Sequence, residues 1–181
     1  MMASKKQQIL LYRVFILIAL LLLTIFLLRN RDQIKEFSKF GYAGIFFVSI
    51  LSNATLIMPI PGVVFTSAMG AVFNPFWVAL AAGCGAALGE LTGYLAGFSG
   101  QFVIDRKDWY QGLTKWMKKY GNLTVLVMAF IPNPFFDLTG IIAGALKMPV
   151  ERFLFWCAIG KILKMLVFAL TGSSMMQFVG L

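Results

Sequence analysis

Glu90, Asp137, Lys161 and Lys164 are ionisable groups inside stretches otherwise apolar enough for a lipid bilayer. An unpaired charge at the bilayer centre costs at least ~2.5 kcal/mol on insertion scales, so each needs a partner or an aqueous groove. Glu90 with Lys161 or Lys164 is the preferred pair. Asn133 followed by Pro134 reads as a helix N-cap and first helical residue, whose free N–H groups attract an anion such as a phosphate. Asp137, in that first turn, either supplies the anion itself and closes the helix end, or carries protons or gates a substrate. This is the chemistry of transport. The chain has no histidine, the commonest general base and metal ligand. No nucleophile and base stand in register, and Cys84 and Cys157 read as small hydrophobes in apolar helices. No enzyme activity, metal or cofactor is expected.

The elements that hold these groups are broken by proline. Pro59-Ile60-Pro61 and Pro132-Asn133-Pro134 each end one apolar run and open another. Proline interrupts the backbone ladder, and in hydrocarbon the freed groups must be satisfied by protein or in a water-lined cavity. Gly62 to Phe73 rises only about 18 Å as a helix, against a ~30 Å core. Asn122 to Ile131 and Phe135 to Leu146 are as short. The economical reading is two re-entrant hairpins with Pro59, Pro61, Pro132 and Pro134 at their tips. Full spans follow them, Phe76 to Phe98 and Val150 to Thr171. Gly85, Gly89, Gly93 and Gly97 lay a bare seam along the first span, and Gly140 and Gly144 do the same on the second return limb, for close helix packing.

The remaining sequence frames this unit. Val14 to Leu28 is an apolar run that reaches about 20 residues with Ile9 to Tyr12 added, long enough to span. No signal-peptide cleavage site follows it, so it reads as a retained first helix, and Arg29 to Phe40 reads as an amphipathic interfacial helix. Ser99 to Gly121 interleaves lysines with Trp109, Tyr110, Trp116 and Tyr120, as suits a helix in the headgroup layer. The expected division is residues 1–40 as anchor, 41–172 as membrane domain and 173–181 as tail. Within the domain, 41–98 and 122–172 form two repeats joined by a cytoplasmic amphipathic loop, 99–121.

The repeats share punctuation: Gly70-Ala71 before Pro75 and Gly144-Ala145 before Pro149 both read Gly-Ala-x-x-x-Pro, and Glu90 and Lys164 lie equally far past the closing prolines. One full crossing separates the copies, so they are expected to be inverted, the arrangement in which broken helices meet near the midplane. Lys5, Lys6, Arg13, Arg106, Lys107, Lys115, Lys118, Lys119, Lys147 and Arg152 then share one side, with Arg29, Arg31, Lys35 and Lys39 on the other. The positive-inside rule makes the N-terminus cytoplasmic and the C-terminus external. A mean hydropathy of +0.83, with 60% hydrophobic and only 13% charged residues, fits an all-α integral membrane protein. The net charge of +9 is met by this asymmetry and by anionic lipid, without nucleic acid.

From Gly41 to Gly172 the chain resembles the VTT-domain superfamily, also called SNARE-associated Golgi or DedA-like proteins. Ala87-Leu88-Gly89-Glu90-Leu91, the run Ile131-Pro132-Asn133-Pro134-Phe135-Phe136-Asp137-Leu138-Thr139-Gly140-Ile141, and Phe155, Gly160 and Lys161 look most like the vacuole membrane protein branch. The resemblance implies facing re-entrant hairpins and movement of phospholipid between leaflets, or of a polyprenyl-phosphate carrier as in bacterial DedA-like relatives. Its residues carry over at Glu90, Pro132, Asn133, Pro134, Asp137 and Lys161. Where DedA-type members carry an arginine before the second hairpin, this chain has Met128-Ala129-Phe130, which favours a scramblase over a proton-coupled flippase.

The expectation is therefore a lipid transporter, scramblase- or flippase-like, with Glu90, Asp137, Asn133, Lys161 and Lys164 lining or gating a groove. A proton-coupled solute or drug exporter and a membrane assembly factor are the alternatives. Expected partners are membrane phospholipids or lipid phosphates, with a second copy of the chain as a further candidate. The expected location is a bacterial plasma membrane, or a eukaryotic endomembrane as the alternative.

Overall fold

The structure, a computed structural model, describes residues 38–54, 62–100, 108–132 and 136–179. The expected N-terminal spanning helix, most of the expected interfacial segment after it, and Pro59, Pro61, Asn133 and Pro134 lie outside the described residues. Those described form seven α-helices and no strand: α1 (Ser38–Ala54), α2 (Gly62–Val72), α3 (Pro75–Gly89), α4 (Leu91–Phe98), α5 (Asp108–Phe130), α6 (Phe136–Ala145) and α7 (Val150–Val179).

Local chemistry sets the boundaries. Asn74 caps α3, its side chain accepting from the Phe76 N–H at 3.0 Å, and Pro75 occupies the first turn, where no N–H is needed. At the equivalent turn after α6, Lys147 takes a left-handed φ of 53°. The Lys147 N–H bonds Gly144 O and the Met148 N–H bonds Ala143 O, a Schellman ending that Pro149 then closes. Both Gly-Ala-x-x-x-Pro segments are thus helix-to-helix turns. In α5 the backbone leaves helical geometry at Tyr120 (φ −133°, ψ 40°), next to Gly121, where amphipathic sequence gives way to apolar. The Thr124 hydroxyl donates to the carbonyls of Tyr120 (3.0 Å) and Trp116 (3.3 Å), satisfying groups that the kink frees.

Among the described residues, two stretches are long and apolar enough to cross a membrane. Pro75–Phe98, 24 residues, joins α3 and α4 through a slight irregularity at Glu90, where Glu90 N–H to Ala86 O and Tyr94 N–H to Glu90 O keep the ladder going. Val150–Phe178 is the other, at 29 residues. By contrast α2 and α6, with 11 and 10 residues, rise only about 15 Å each. The last helix runs on to Val179, so residues 173–179, expected as tail, are helical.

Glycine decides what packs on what. A Cβ on Gly70 would strike the backbone of Ala169, and one on Gly172 the backbone of Ser67, so α2 lies on the second half of α7. In the same way Gly144 meets Tyr94 and Gly97 meets Ile141, which lays α6 on α4. Each short helix therefore rests mainly on the far part of the other half's long span. Gly85 and Gly89 admit α1 against α3, Gly83 admits α7 against α3, and Gly160 admits α5 against α7. Two apolar clusters result. One joins α1, α2 and α3 to Met165 and Ala169 of α7; the other joins α4, α5 and α6 to Phe153 and Cys157. The outward surface is also apolar, with Phe47, Leu51, Phe76, Trp77, Leu95, Phe155, Leu163, Val167 and Leu170 exposed.

Candidate functional site

Glu90 and Lys161 lie where the two spans pass from one apolar cluster to the other: Ala86 and Ala87, a turn before Glu90, belong to different clusters, as do Cys157 and Met165, a turn to either side of Lys161. The Lys161 Nζ stands 2.5 Å from Glu90 Oε1, with the side chains 4% and 2% exposed. It also donates to Asn53 Oδ1 at 2.9 Å and sits 4.4 Å from the centroid of the Phe136 ring. Removing two ions from water costs several kcal/mol each, so a pair this buried persists only with close contact and further hydrogen bonds. Asn53 and the ring supply that support to the ammonium.

Two further helices, α1 and α6, converge on the pair because small residues let them. A Cβ on Gly89 would press on Ile50 O and the Asn53 side chain, so its absence brings the end of α1 up to Glu90. Asn53 is oriented by its own amide, which donates to Ser49 O at 2.9 Å and leaves Oδ1 for Lys161. Beyond it, the Thr92 hydroxyl donates to Ala54 O at 3.1 Å and holds the end of α1 against the irregular turn at Glu90. From the other half, Gly93 lies against the Asp137 carbonyl and Gly140 against the Glu90 carbonyl and Tyr94 N, which places the start of α6 over the same turn.

The expected charged residues divide into three environments. Glu90 and Lys161 form the buried pair. Lys164, one turn further along α7, is buried but makes no ion pair within 4 Å among the described residues. Asp137 is exposed in the first turn of α6, and the described residues offer its carboxylate neither an ion pair nor a hydrogen bond. Pro132, between α5 and α6, is exposed. All six seam glycines, Gly85, Gly89, Gly93, Gly97, Gly140 and Gly144, face a neighbouring helix within 4 Å.

Sequence reading left Asn53 and Phe136 out of the site. An amide inside an apolar run is a signal for the first; Phe136 differs from its apolar neighbours only through its position over Lys161. The cluster holds a carboxylate, two ammonium groups, an amide and, beside them, an open carboxylate, which can bind, orient and exchange charged groups. Among the described residues no three Cys, Asp or Glu side chains gather as a metal site would need.

Comparison with known proteins places this arrangement in a wider group. The VTT domain family matches residues 60–174, a stretch that takes in α2 to α6 and most of α7. An uncharacterized membrane protein, YbfM of Bacillus subtilis (strain 168), is 32% identical over 147 residues, covering 74% of this chain and 89% of its own. The vacuole membrane protein KMS2 of Arabidopsis thaliana is 34% identical over 65 residues, 36% of this chain and 15% of its own. No solved structure matches the chain.

Proposed function

The chain belongs to the VTT domain family of membrane proteins, and on that premise we propose that it is a lipid transporter of the scramblase type. It moves the headgroup of a phospholipid or polyprenyl phosphate between leaflets while the tails stay in the bilayer. The two hairpins re-enter the membrane from opposite faces as an inverted repeat, with the N-terminus cytoplasmic. What supports this geometry is the shortness of α2 and α6 and their exchange of packing partners across the two halves. A bacterial plasma membrane agrees with the Bacillus relative.

The observation that carries the reading is the charge cluster at the junction of the halves: a braced Glu90–Lys161 pair, with Lys164 buried beside it and Asp137 exposed, neither in an ion pair among the described residues. The braced pair keeps the junction closed to ions, and Asp137 and Lys164 meet the zwitterionic or anionic headgroup. No covalent step is required. The test is leaflet exchange of a fluorescent phospholipid in proteoliposomes, expected to be faster than in protein-free vesicles and indifferent to a proton gradient. Lys164, buried within the last span and without an ion pair among the described residues, favours one second reading, a proton-coupled solute exporter, for which substrate movement stops when the gradient is collapsed.

A further inference from the structure

We propose that the kink in α5 forms a second lipid site, separate from the Glu90 cluster, that holds one anionic phospholipid of the cytoplasmic leaflet. Between the kink and the turn from α6 to α7 lies an open cavity of about 660 Å³, in the range of roughly 300–1,000 Å³ usual for small-ligand sites. Lys118, Lys119 and Arg152 line it, and no carboxylate of the described residues does. On the other side of the kink is a cleft of about 310 Å³ with an almost wholly apolar wall that includes Leu113, Trp116 and Met128. Tyr120 and Leu123 line both cavities. A basic groove and an apolar cleft thus share one wall, which matches a molecule with an anionic head and a hydrocarbon tail.

Neighbouring contacts suit that occupant. Lys119 Nζ lies 5.0 Å from the centroid of the Tyr120 ring, which holds the ammonium at the border between the cavities. Trp116 packs edge-on to Tyr120 and is 65% exposed, the placement of an aromatic at the headgroup level. Free phosphate would use only the groove, and a neutral lipid would leave three cations unmatched. The site requires only that α5 lies at the membrane surface, so it stands or falls independently of lipid transport.

The test uses the purified full chain in mixed micelles and reads Trp116 fluorescence as the difference between wild type and Trp116→Phe. Phosphatidylglycerol with brominated chains is titrated against brominated phosphatidylcholine. Half-quenching by phosphatidylglycerol is expected at a roughly tenfold lower mole fraction, and Lys118→Gln/Lys119→Gln/Arg152→Gln is expected to narrow that preference to about twofold. All three positions are exposed; should the triple variant fail to fold, Arg152→Gln alone is measured and is expected to lose part of the preference. Equal quenching by the two lipids, or an unchanged preference in the variants, overturns the site. Loss of phosphatidylglycerol quenching on adding inorganic phosphate at matched ionic strength overturns the lipid as its occupant.

Discussion

Glu90 and Lys161 each hold a charge that the surrounding apolar helices cannot solvate, so each depends on the other. Replacing one partner leaves a buried charge unmatched, at about 3–5 kcal/mol, whereas replacing both with neutral groups of similar shape removes the problem. Lys161→Met is accordingly expected to lower the unfolding temperature in detergent more than Glu90→Gln/Lys161→Met does, and a double-mutant cycle in thermal unfolding measures the coupling. Strict additivity would contradict the pairing. Asp137 is different, being exposed and without a partner among the described residues. Asp137→Asn should leave the unfolding temperature unchanged while slowing transport. The sequence made Glu90 and a lysine of the last span natural partners because nothing else nearby could neutralise either. It did not separate Lys161 from Lys164, one turn apart, since that choice rests on how α7 is rotated against α3. Nor did it bring in Asn53, which reaches the pair only because Gly89 lets α1 approach.

At the level of helices, glycine sets distances that no other residue allows. Gly97→Ala and Gly144→Ala push a methyl group into the backbones of Ile141 and Tyr94 and are expected to separate α4 from α6, with heavy loss of folded protein on size-exclusion chromatography. Gly44 supplies the control: it is exposed within α1, with nothing within 4 Å of its Cβ position. Gly44→Ala should be neutral or stabilising by up to about 1 kcal/mol. Lys147→Gly should also stabilise, by about 1 kcal/mol, because it relieves a left-handed backbone at a side-chain-bearing residue. Helix boundaries near Gly, Asn and Pro were legible for that reason: Asn74-Pro75, the turn before Pro149 and the kink beside Gly121 are local chemistry. The end of α7 was not. Ser173 and Ser174 look like the start of a tail, yet Gly172 packs on Ser67 and Met176 is buried, so tertiary contact carries the helix on to Val179.

Across the whole molecule, the proposed orientation rests on charge and the proposed path on packing. Lys118 lies at the α5 kink and Gln177 near the end of the last helix, and the proposed topology puts them on opposite sides of the membrane. In a chain with Cys84 and Cys157 replaced by alanine, an impermeant maleimide applied to intact cells should label Gln177→Cys, and Lys118→Cys only after permeabilisation. Labelling of both from outside would contradict the orientation. The matched prolines and Gly-Ala-x-x-x-Pro segments were visible in the sequence, but the exchange of short helices between the two long spans was not, because it depends on contacts between residues as distant as Gly70 and Ala169. That exchange brings Asp137 beside the Glu90 turn, where the proposed function routes the headgroup. The most direct test is the initial rate of leaflet exchange for a fluorescent phospholipid in proteoliposomes holding equal amounts of wild type or Asp137→Asn. Exchange well above protein-free vesicles for wild type, with a roughly tenfold lower rate for Asp137→Asn, about 1.4 kcal/mol in the barrier, is the predicted result. A wild-type rate no greater than that of protein-free vesicles would contradict lipid transport by this protein.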